Sequence, residues 1–309
     1  QPRMTAFKKS PVYLDSEVGP AVLSRNDPRL NVPVEDITKK AASKYVGNTF
    51  DPPIACFSAA IARVAHDLRK VVQKSGSIDY ETATSGELLP IDWQTSPGLK
   101  YAGKTKRDLV TMAQFKKDVM RQLKSPGTYF TTYLKDELRP LEKVAAGKTR
   151  AIEACNFDYV VAYRMVMGQI YHQIYEDVEA RSGVAVGLCP YTHWGGLISH
   201  LYDHVVCCDF SGFDGSLPPE LLRAGVQILS VLHDVPPLVV DIHEPVINSV
   251  NLVSNEIWSV EGGMCSGAPC TSVLNSICNL VAAYTVFLSL GADIDRMHIV
   301  TYGDDIVIS

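Results

Sequence analysis

Tyr302-Gly303-Asp304-Asp305 lies between apolar stretches at residues 298–301 and 306–308, and it constrains this chain more than any other segment. Two short runs rich in β-branched residues flank a Gly-Asp pair. That is the pattern of a hairpin with a two-residue loop, because Gly tolerates positive φ. Such a hairpin would hold two adjacent carboxylates at the rim of a sheet. Crowded carboxylates repel unless a cation lies between them, and hard oxygen ligands select Mg²⁺, with Mn²⁺ as a substitute. Taken alone, the pair reads equally well as an ordinary solvated turn.

A second acidic pair has matching context. Val205-Val206-Cys207-Cys208 reads as a buried strand that ends at Asp209, and the chain then turns at Ser211-Gly212 and reaches Asp214. Past Pro218 and Pro219, Leu221, Leu222, Val226, Leu229 and Leu232 recur on one helical face. A strand-end Asp beside a hairpin-tip Asp is the arrangement of two-metal phosphoryl transfer. In that chemistry one ion activates a hydroxyl and the other stabilises a leaving oxygen.

Composition bounds the rest. A length of 309 residues suggests two globular bodies or one large irregular one, and 46% hydrophobic content supplies a core. A net charge of −5 argues against a uniformly basic nucleic-acid binder, so any nucleic-acid contact would have to come from local patches. The 8 cysteines include no CxxC pair and read as reduced and mostly buried, rather than as a disulfide or zinc framework. The longest apolar segment, at 272–290, is interrupted by Asn275, Ser276 and Asn279, which argues against a membrane span.

The first fifty residues carry Pro11, Pro20, Pro28 and Pro33 and read as an extended, draped segment. Helical spacing of Ile54, Phe57, Ile61, Val64, Leu68 and Val71 predicts a helix after Pro52-Pro53. A loop over 75–103 precedes a second helix, capped by Thr105 and carrying Leu109, Met112, Phe115, Val119 and Leu123. A strand at 129–134, a long helix near 159–178, a mixed loop region at 235–261 and a helix at 272–290 follow. The order predicts an α+β fold with an antiparallel sheet backed by helices.

Two further stretches carry chemistry. Lys135, Arg139, Lys143, Lys148 and Arg150 fall within sixteen residues, mixed with Asp136, Glu137 and Glu142. Such a run is commonly a solvated charged hairpin. Here Gly147 supplies a turn, and Arg150 enters the apolar Ala151-Ile152, where its planar fork suits triphosphate oxygens. Gly147-Lys148-Thr149 is not a P-loop, because Glu142 occupies the position that a P-loop gives to Gly. The second stretch, Gly262-Gly263-Met264-Cys265-Ser266-Gly267-Ala268-Pro269-Cys270-Thr271, precedes a helix. Its small residues allow close backbone approach, and Thr271 and Asn275, four apart, share a helix face.

With these pieces in order, the chain resembles the RNA-dependent RNA polymerase of picornaviruses. Residues 135–150 resemble that family's NTP-channel motif, 209–214 its first metal motif, 263–275 its ribose-sensing and template motif, and 302–305 its second metal motif. Thr95, Ser96, Pro97 and Gly98 are similar to its template-entrance loop, and residues 20–29 to its N-terminal segment.

The resemblance implies a right-hand polymerase of fingers (1–165) and palm (166–309), with a fingers insertion near 241–262. It implies Asp209, Asp304 and Asp305 as catalytic metal ligands. It implies Lys135, Arg139, Lys143, Lys148 and Arg150 around the NTP, with Asp214, Thr271 and Asn275 sensing the ribose 2′-OH. Ser266 and Gly267 would flex against template and nucleotide. The activity implied is RNA-templated transfer of ribonucleotides to a primer 3′-OH during viral genome replication. The implied partners are RNA template and primer, NTPs, a viral protein primer and other replication proteins. The implied location is replication complexes on membranes in the host cytoplasm, without an integral membrane segment of its own. The family continues past its second metal motif with a Lys-bearing palm segment and a thumb, and its enzymes begin with Gly rather than Gln1. The chain therefore reads as a fragment, inactive alone.

Two rivals remain open on sequence. A reverse transcriptase shares a carboxylate palm, but it places a bulky aromatic residue where deoxyribose is selected, and Asp214 with Asn275 is a small polar set. A non-enzymatic RNA-binding domain would carry exposed aromatic platforms and would not require three acids at strand ends.

Overall fold

The computed structural model describes residues 5–7, 17–24, 27–29, 33–45 and 49–309. The expectations that fall on Gln1, Pro11, Arg25 and Asn26 lie outside the described residues. The first half of the chain runs β1 (Val18–Pro20), α1 (Val34–Ala42), α2 (Ile54–Leu68), α3 (Tyr80–Ser85), α4 (Lys106–Val110), α5 (Ala113–Lys124), β2 (Phe130–Leu134), β3 (Leu138–Pro140), α6 (Leu141–Ala145) and β4 (Ala151–Ala154). The second half runs α7 (Phe157–Tyr175), α8 (Trp194–Ser199), β5 (Val206–Cys208), α9 (Phe213–Ser216), α10 (Pro219–Ser230), α11 (Pro236–Ile247), β6 (Asn248–Val253), β7 (Glu256–Glu261), α12 (Thr271–Ser289), β8 (Ile299–Tyr302) and β9 (Asp305–Ile308).

Three sheets organise these elements, and the whole is α+β. β5, β9 and β8 form an antiparallel sheet in that order. β4, β2, β6 and β7 form a second sheet, and β1 pairs with β3. The second sheet is mixed, because β2 and β6 run parallel while its other pairs run antiparallel. The expected antiparallel sheet backed by helices is β5-β9-β8, and β1 and β3 also pair antiparallel. The β6–β7 hairpin departs from the second half of the chain and completes a sheet begun by the first half.

α7 is apolar almost all round, as a fully interior helix must be. Tyr159, Tyr163, Met167, Ile170 and Ile174 on it are all buried. α12 has the length and composition of a membrane-crossing helix, with mean hydropathy 1.5, but 61% of that window is buried within the protein. It packs against α2, α10 and β8 as a core helix and so backs the three-stranded sheet.

Several expectations need correction. The first fifty residues are not all extended. α1 has acids in its first turn and lysines in its last, matching the helix dipole, and Ile37 packs with Val22, Leu134 and Val144. The loop at 75–103 contains α3, whose N-cap Asp79 accepts from Thr82 N and whose C-cap Gly86 is left-handed. The helix after Thr105 divides into α4 and α5 at Thr111-Met112, although Thr105 does cap it through a capping box. The mixed loop region at 235–261 is α11 followed by the β6–β7 hairpin. Its pattern was hidden because the inward positions of β6 are Ser249, Asn251 and Val253, two of them polar. Asn251 Nδ2 donates to Ser249 Oγ at 2.8 Å, and Cys265 Sγ donates to Asn251 Oδ1 at 3.5 Å. β5 is exposed rather than buried, because it is a sheet edge paired only to β9. All eight cysteines are free, but Cys207 and Cys208 on this edge are exposed.

A buried polar string stiffens the core beneath α11. His243 Nδ1 lies 2.6 Å from Val239 O, and a carbonyl only accepts, so Nδ1 carries the proton. Nε2 then accepts from Tyr163 OH at 2.7 Å, and Tyr163 OH lies 2.6 Å from Tyr171 OH. Burial pushes the His243 pKa down to about 4. Below about pH 6.5 the unfolded chain takes up a proton that the folded chain refuses, so stability falls as pH drops toward 4. The loss contributed by this residue is on the order of 3 kcal/mol across that window. Urea midpoints at pH 7 and pH 4.5 check it: the drop should shrink clearly in His243→Gln, and an equal drop in both proteins would refute it.

Candidate active site

The β8–β9 turn is built as its sequence predicts. Tyr302 pairs with Asp305, leaving Gly303-Asp304 as the loop, with Gly303 at φ 62°. Two residues of α12 hold this tip from behind. Ser276 Oγ accepts from Gly303 N at 2.7 Å, and Asn279 Nδ2 donates to the carbonyls of Gly303 and Asp304 at 3.1 and 3.2 Å. Neither residue is legible as part of the site from sequence, where they pass for polar interruptions of an apolar helix.

β5 brings the other strand-end acid alongside. Cys208 pairs with Ile306, so Asp209 sits one step beyond the ladder, level with Asp305. Asp209, Asp304 and Asp305 are exposed. Among the described residues, no hydrogen bond or ion pair occupies their carboxylates. The same residues contain no group of three or more His, Cys, Asp or Glu side chains arranged to enclose a metal ion. The acids thus form an open edge rather than a closed cage. This donor set fits a hard cation that keeps waters and shares one or two carboxylates with substrate phosphates.

Above this edge lies a cleft of about 660 Å³. It is lined by Asp214, Asp304 and Ser266 together with Lys135, Arg139, Lys148 and Arg150, while Asp209 and Asp305 lie outside its lining. Lys40 and Lys44, from α1 and the residues just after it, also line it and were not singled out from sequence. Phe210 and Phe213 join the lining, with ring centroids 5.3 Å apart.

Glu137 organises the basic wall. Arg150 Nε donates to its Oε1 at 2.8 Å, Arg139 Nη1 lies 3.5 Å from Oε1, and Lys135 Nζ lies 3.9 Å from Oε2. The Arg150 bond holds the Glu137 carboxyl below its ordinary range, and the Arg150 guanidinium is raised in turn by Glu137 and by Asp304. One acid thus keeps three cations side by side, which like charges would otherwise resist.

Asp214 faces the cleft from α9. Asn275 Nδ2 donates to its Oδ1 at 2.7 Å. Burial raises the Asp214 carboxyl, and Lys44 and the Asn275 bond act against that rise. Asn275 Oδ1 is buried and has no partner among the described residues. Gly267 lies against β4: a Cβ there would come 2.4 Å from Glu153 O, so only glycine permits this approach.

Other expected residues stand elsewhere. Thr271 does not line the cleft, and its hydroxyl lies 2.9 Å from both the Cys265 and Ala268 carbonyls, as a local helix-start contact. Lys143 is exposed on α6, outside the cleft lining. Thr95, Ser96, Pro97 and Gly98 stand at the start of α7, where Phe157 N donates to Pro97 O at 2.9 Å, and the Lys106 ammonium reaches Thr95 Oγ1. Sequence reasoning missed Glu153 altogether. It is fully buried on β4, and its Oε2 accepts from Ser266 N at 3.1 Å and Ser266 Oγ at 2.7 Å.

Similarity to known proteins extends over almost the whole chain. A family profile described as "Viral RNA-dependent RNA polymerase" matches residues 12–309. The genome polyprotein of Ljunganvirus 1 is 42% identical over 326 residues, covering 100% of this chain and 14% of the polyprotein. That of Human parechovirus 2 (strain Williamson) is 42% identical over 319 residues, covering 97% of the chain and 15% of the polyprotein. The chain therefore spans only a small part of these relatives. Among solved structures, the Sicinivirus 3Dpol RNA dependent RNA polymerase superposes with a TM-score of 0.88 at 28% identity, covering 100% of this chain and 69% of that one.

Proposed function

Since the chain belongs to the viral RNA-dependent RNA polymerase family, we propose that it supplies the nucleotide-adding centre of a polymerase that copies RNA for viral genome replication. The observation that carries this is the cleft itself, where Lys135, Arg139, Lys148 and Arg150 share one space with Asp214 and the hairpin-tip Asp304, and Asp209 ends the adjoining strand beside that tip. A triphosphate has the charge and length to bridge these cations and carboxylates. Lys135, Arg139, Lys148 and Arg150 would neutralise it, and Lys143 would act from further out.

Asp209 and Asp304, with Asp305 beside them, would hold Mg²⁺, which Mn²⁺ can replace among hard oxygen donors. When bound, such ions activate the attacking 3′-OH and stabilise charge on the leaving pyrophosphate. The chain's own residues orient the substrate. Asp214, oriented by the Asn275 amide, accepts from the ribose 2′-OH, and Ser266 borders the same space while Gly267 behind it packs on β4. Phe210 and Phe213 present flat apolar surface to the cleft.

Residues 1–165 are assigned as fingers and 166–309 as palm. The pairing of β6 with β2 supports a fingers insertion near 241–262. Template and primer RNA, a viral protein primer and other replication proteins are the partners this reading assigns, at membrane-bound replication complexes in the host cytoplasm. Thr95, Ser96, Pro97 and Gly98 are assigned to the template entrance.

Arg150→Ala tests the nucleotide assignment in polymerase carrying this chain. A charged hydrogen bond to phosphate contributes about 1.5–3 kcal/mol, so KM for NTP should rise on the order of ten- to a hundredfold. RNA affinity and its salt dependence should hardly change in a filter-binding titration. Collapse of RNA affinity with an unchanged KM would make the basic wall a template channel instead.

A further inference from the structure

We infer that Lys44 is a positioning residue for sugar recognition: it holds Asp214 and Glu153 in one arrangement and so sets how strongly the site prefers a ribonucleotide over a deoxyribonucleotide. The inference rests on the assignment of Asp214 and Asn275 to the 2′-OH. Lys44 Nζ lies 3.1 Å from Glu153 Oε2 and 4.0 Å from Asp214 Oδ2. It is the cation that joins these two acids, which belong to different elements.

Its own placement is fixed. A Cβ on Gly215 would fall 2.2 Å from Lys44 O, so the backbones of the two segments touch directly. The next residue, Tyr45, reaches Cys265 Sγ with its hydroxyl at 3.5 Å. Residues 44–45 thereby clasp three pieces of the site: β4 through Glu153, α9 through Asp214 and Gly215, and the loop before α12 through Cys265.

Glu153 explains why a cation is required. Its side chain is fully buried, and its Oε2 gathers Lys44 Nζ and both Ser266 donors. Its Oε1 has no partner among the described residues. Removing one partner of a buried pair leaves an uncompensated charge, which is strongly destabilising. Without Lys44 that charge acts on Asp214 and on the Ser266 turn, the two places where the sugar would be read. Asp214 also loses the cation beside its Oδ2, and with it the orientation in which Oδ1 meets Asn275, whatever the charge on Glu153.

Matched single-nucleotide addition by polymerase carrying this chain tests the inference through the ratio of kcat/KM for an NTP to that for its dNTP. In Lys44→Gln the ratio should fall on the order of tenfold or more, because the loss falls on recognition of the hydroxyl. Lys44→Arg, which keeps the charge, should restore most of it. In an Asp214→Ala background Lys44→Gln should leave the ratio unchanged, since nothing remains to be positioned. A direct phosphate contact by Lys44 would raise KM for both nucleotides alike with a constant ratio, and a purely architectural role would lower kcat for both alike. Either result overturns the inference. If Asp214→Ala alone leaves the ratio intact, the sugar assignment itself fails, a separate outcome. Should Lys44→Gln not fold, the Lys44→Gln/Glu153→Gln pair leaves no unpaired buried charge and carries the same test. A reduced ratio supports the inference and an unchanged one overturns it.

Discussion

Asp304→Asn is expected to lose nucleotide addition by on the order of 10³-fold or more while its thermal melt stays where it was. Both halves follow from the tip of the β8–β9 hairpin. The Asp304 carboxylate is exposed and has no side-chain partner among the described residues, so changing it removes no contact that holds the fold. The backbone of the tip is held independently, by Ser276 on Gly303 N and by Asn279 on the two loop carbonyls. Asn keeps the size of the side chain but forfeits a charged, hard oxygen ligand, whose stabilisation of the reacting phosphate is worth several kcal/mol. Single-turnover incorporation in Mg²⁺, alongside a thermal melt, checks both halves. Near-wild-type incorporation by the folded variant would remove Asp304 from the chemistry.

Loss of ribose discrimination is the second large effect. Asp214→Ala should cut the ratio of kcat/KM for NTP over dNTP on the order of 10²-fold, and Asn275→Ala somewhat less. A site built to hydrogen-bond a hydroxyl rejects an analogue lacking it, because its own buried groups are left unpaired. Asp214 and Asn275 already form such a pair at 2.7 Å through Asn275 Nδ2, with the Asn275 amide oxygen buried and unpartnered among the described residues. Asn275 acts one step removed, by orienting Asp214, which is why its effect is smaller. Steady-state incorporation of a matched pair of nucleotides measures the ratio, and an unchanged value in both variants refutes the 2′-OH role.

Helices legible from periodicity were those whose apolar residues form a stripe. α2 and α10 follow Ile61, Val64 and Leu68, and Leu221, Leu222, Val226 and Leu229. α11 escaped because prolines punctuate it at both ends, yet Pro236 and Pro237 occupy first-turn positions where a missing N–H costs nothing. β6 escaped because its inward face is partly polar and satisfied by side chains from its own strand and from Cys265. The β5 run was legible as a strand but not as an edge, since exposure depends on which neighbours arrive, not on the apolar sequence itself.

The sequence by itself determined the local pieces of this site. It placed two carboxylates in a two-residue hairpin loop, an Asp at a strand end and a Gly-Ser loop before a long helix, because turn chemistry and side-chain period act over a few residues. Only the tertiary structure decided which charges meet. Glu137 gathers three cations from its own neighbourhood, but Lys44 reaches Glu153 across 109 positions of sequence and Asn275 reaches Asp214 across 61. Such pairings are set by the packing of α1, β4, α9 and α12 around one cleft. No local pattern encodes them, because a buried ion pair is specified by the low-dielectric space that encloses both partners rather than by their distance along the chain.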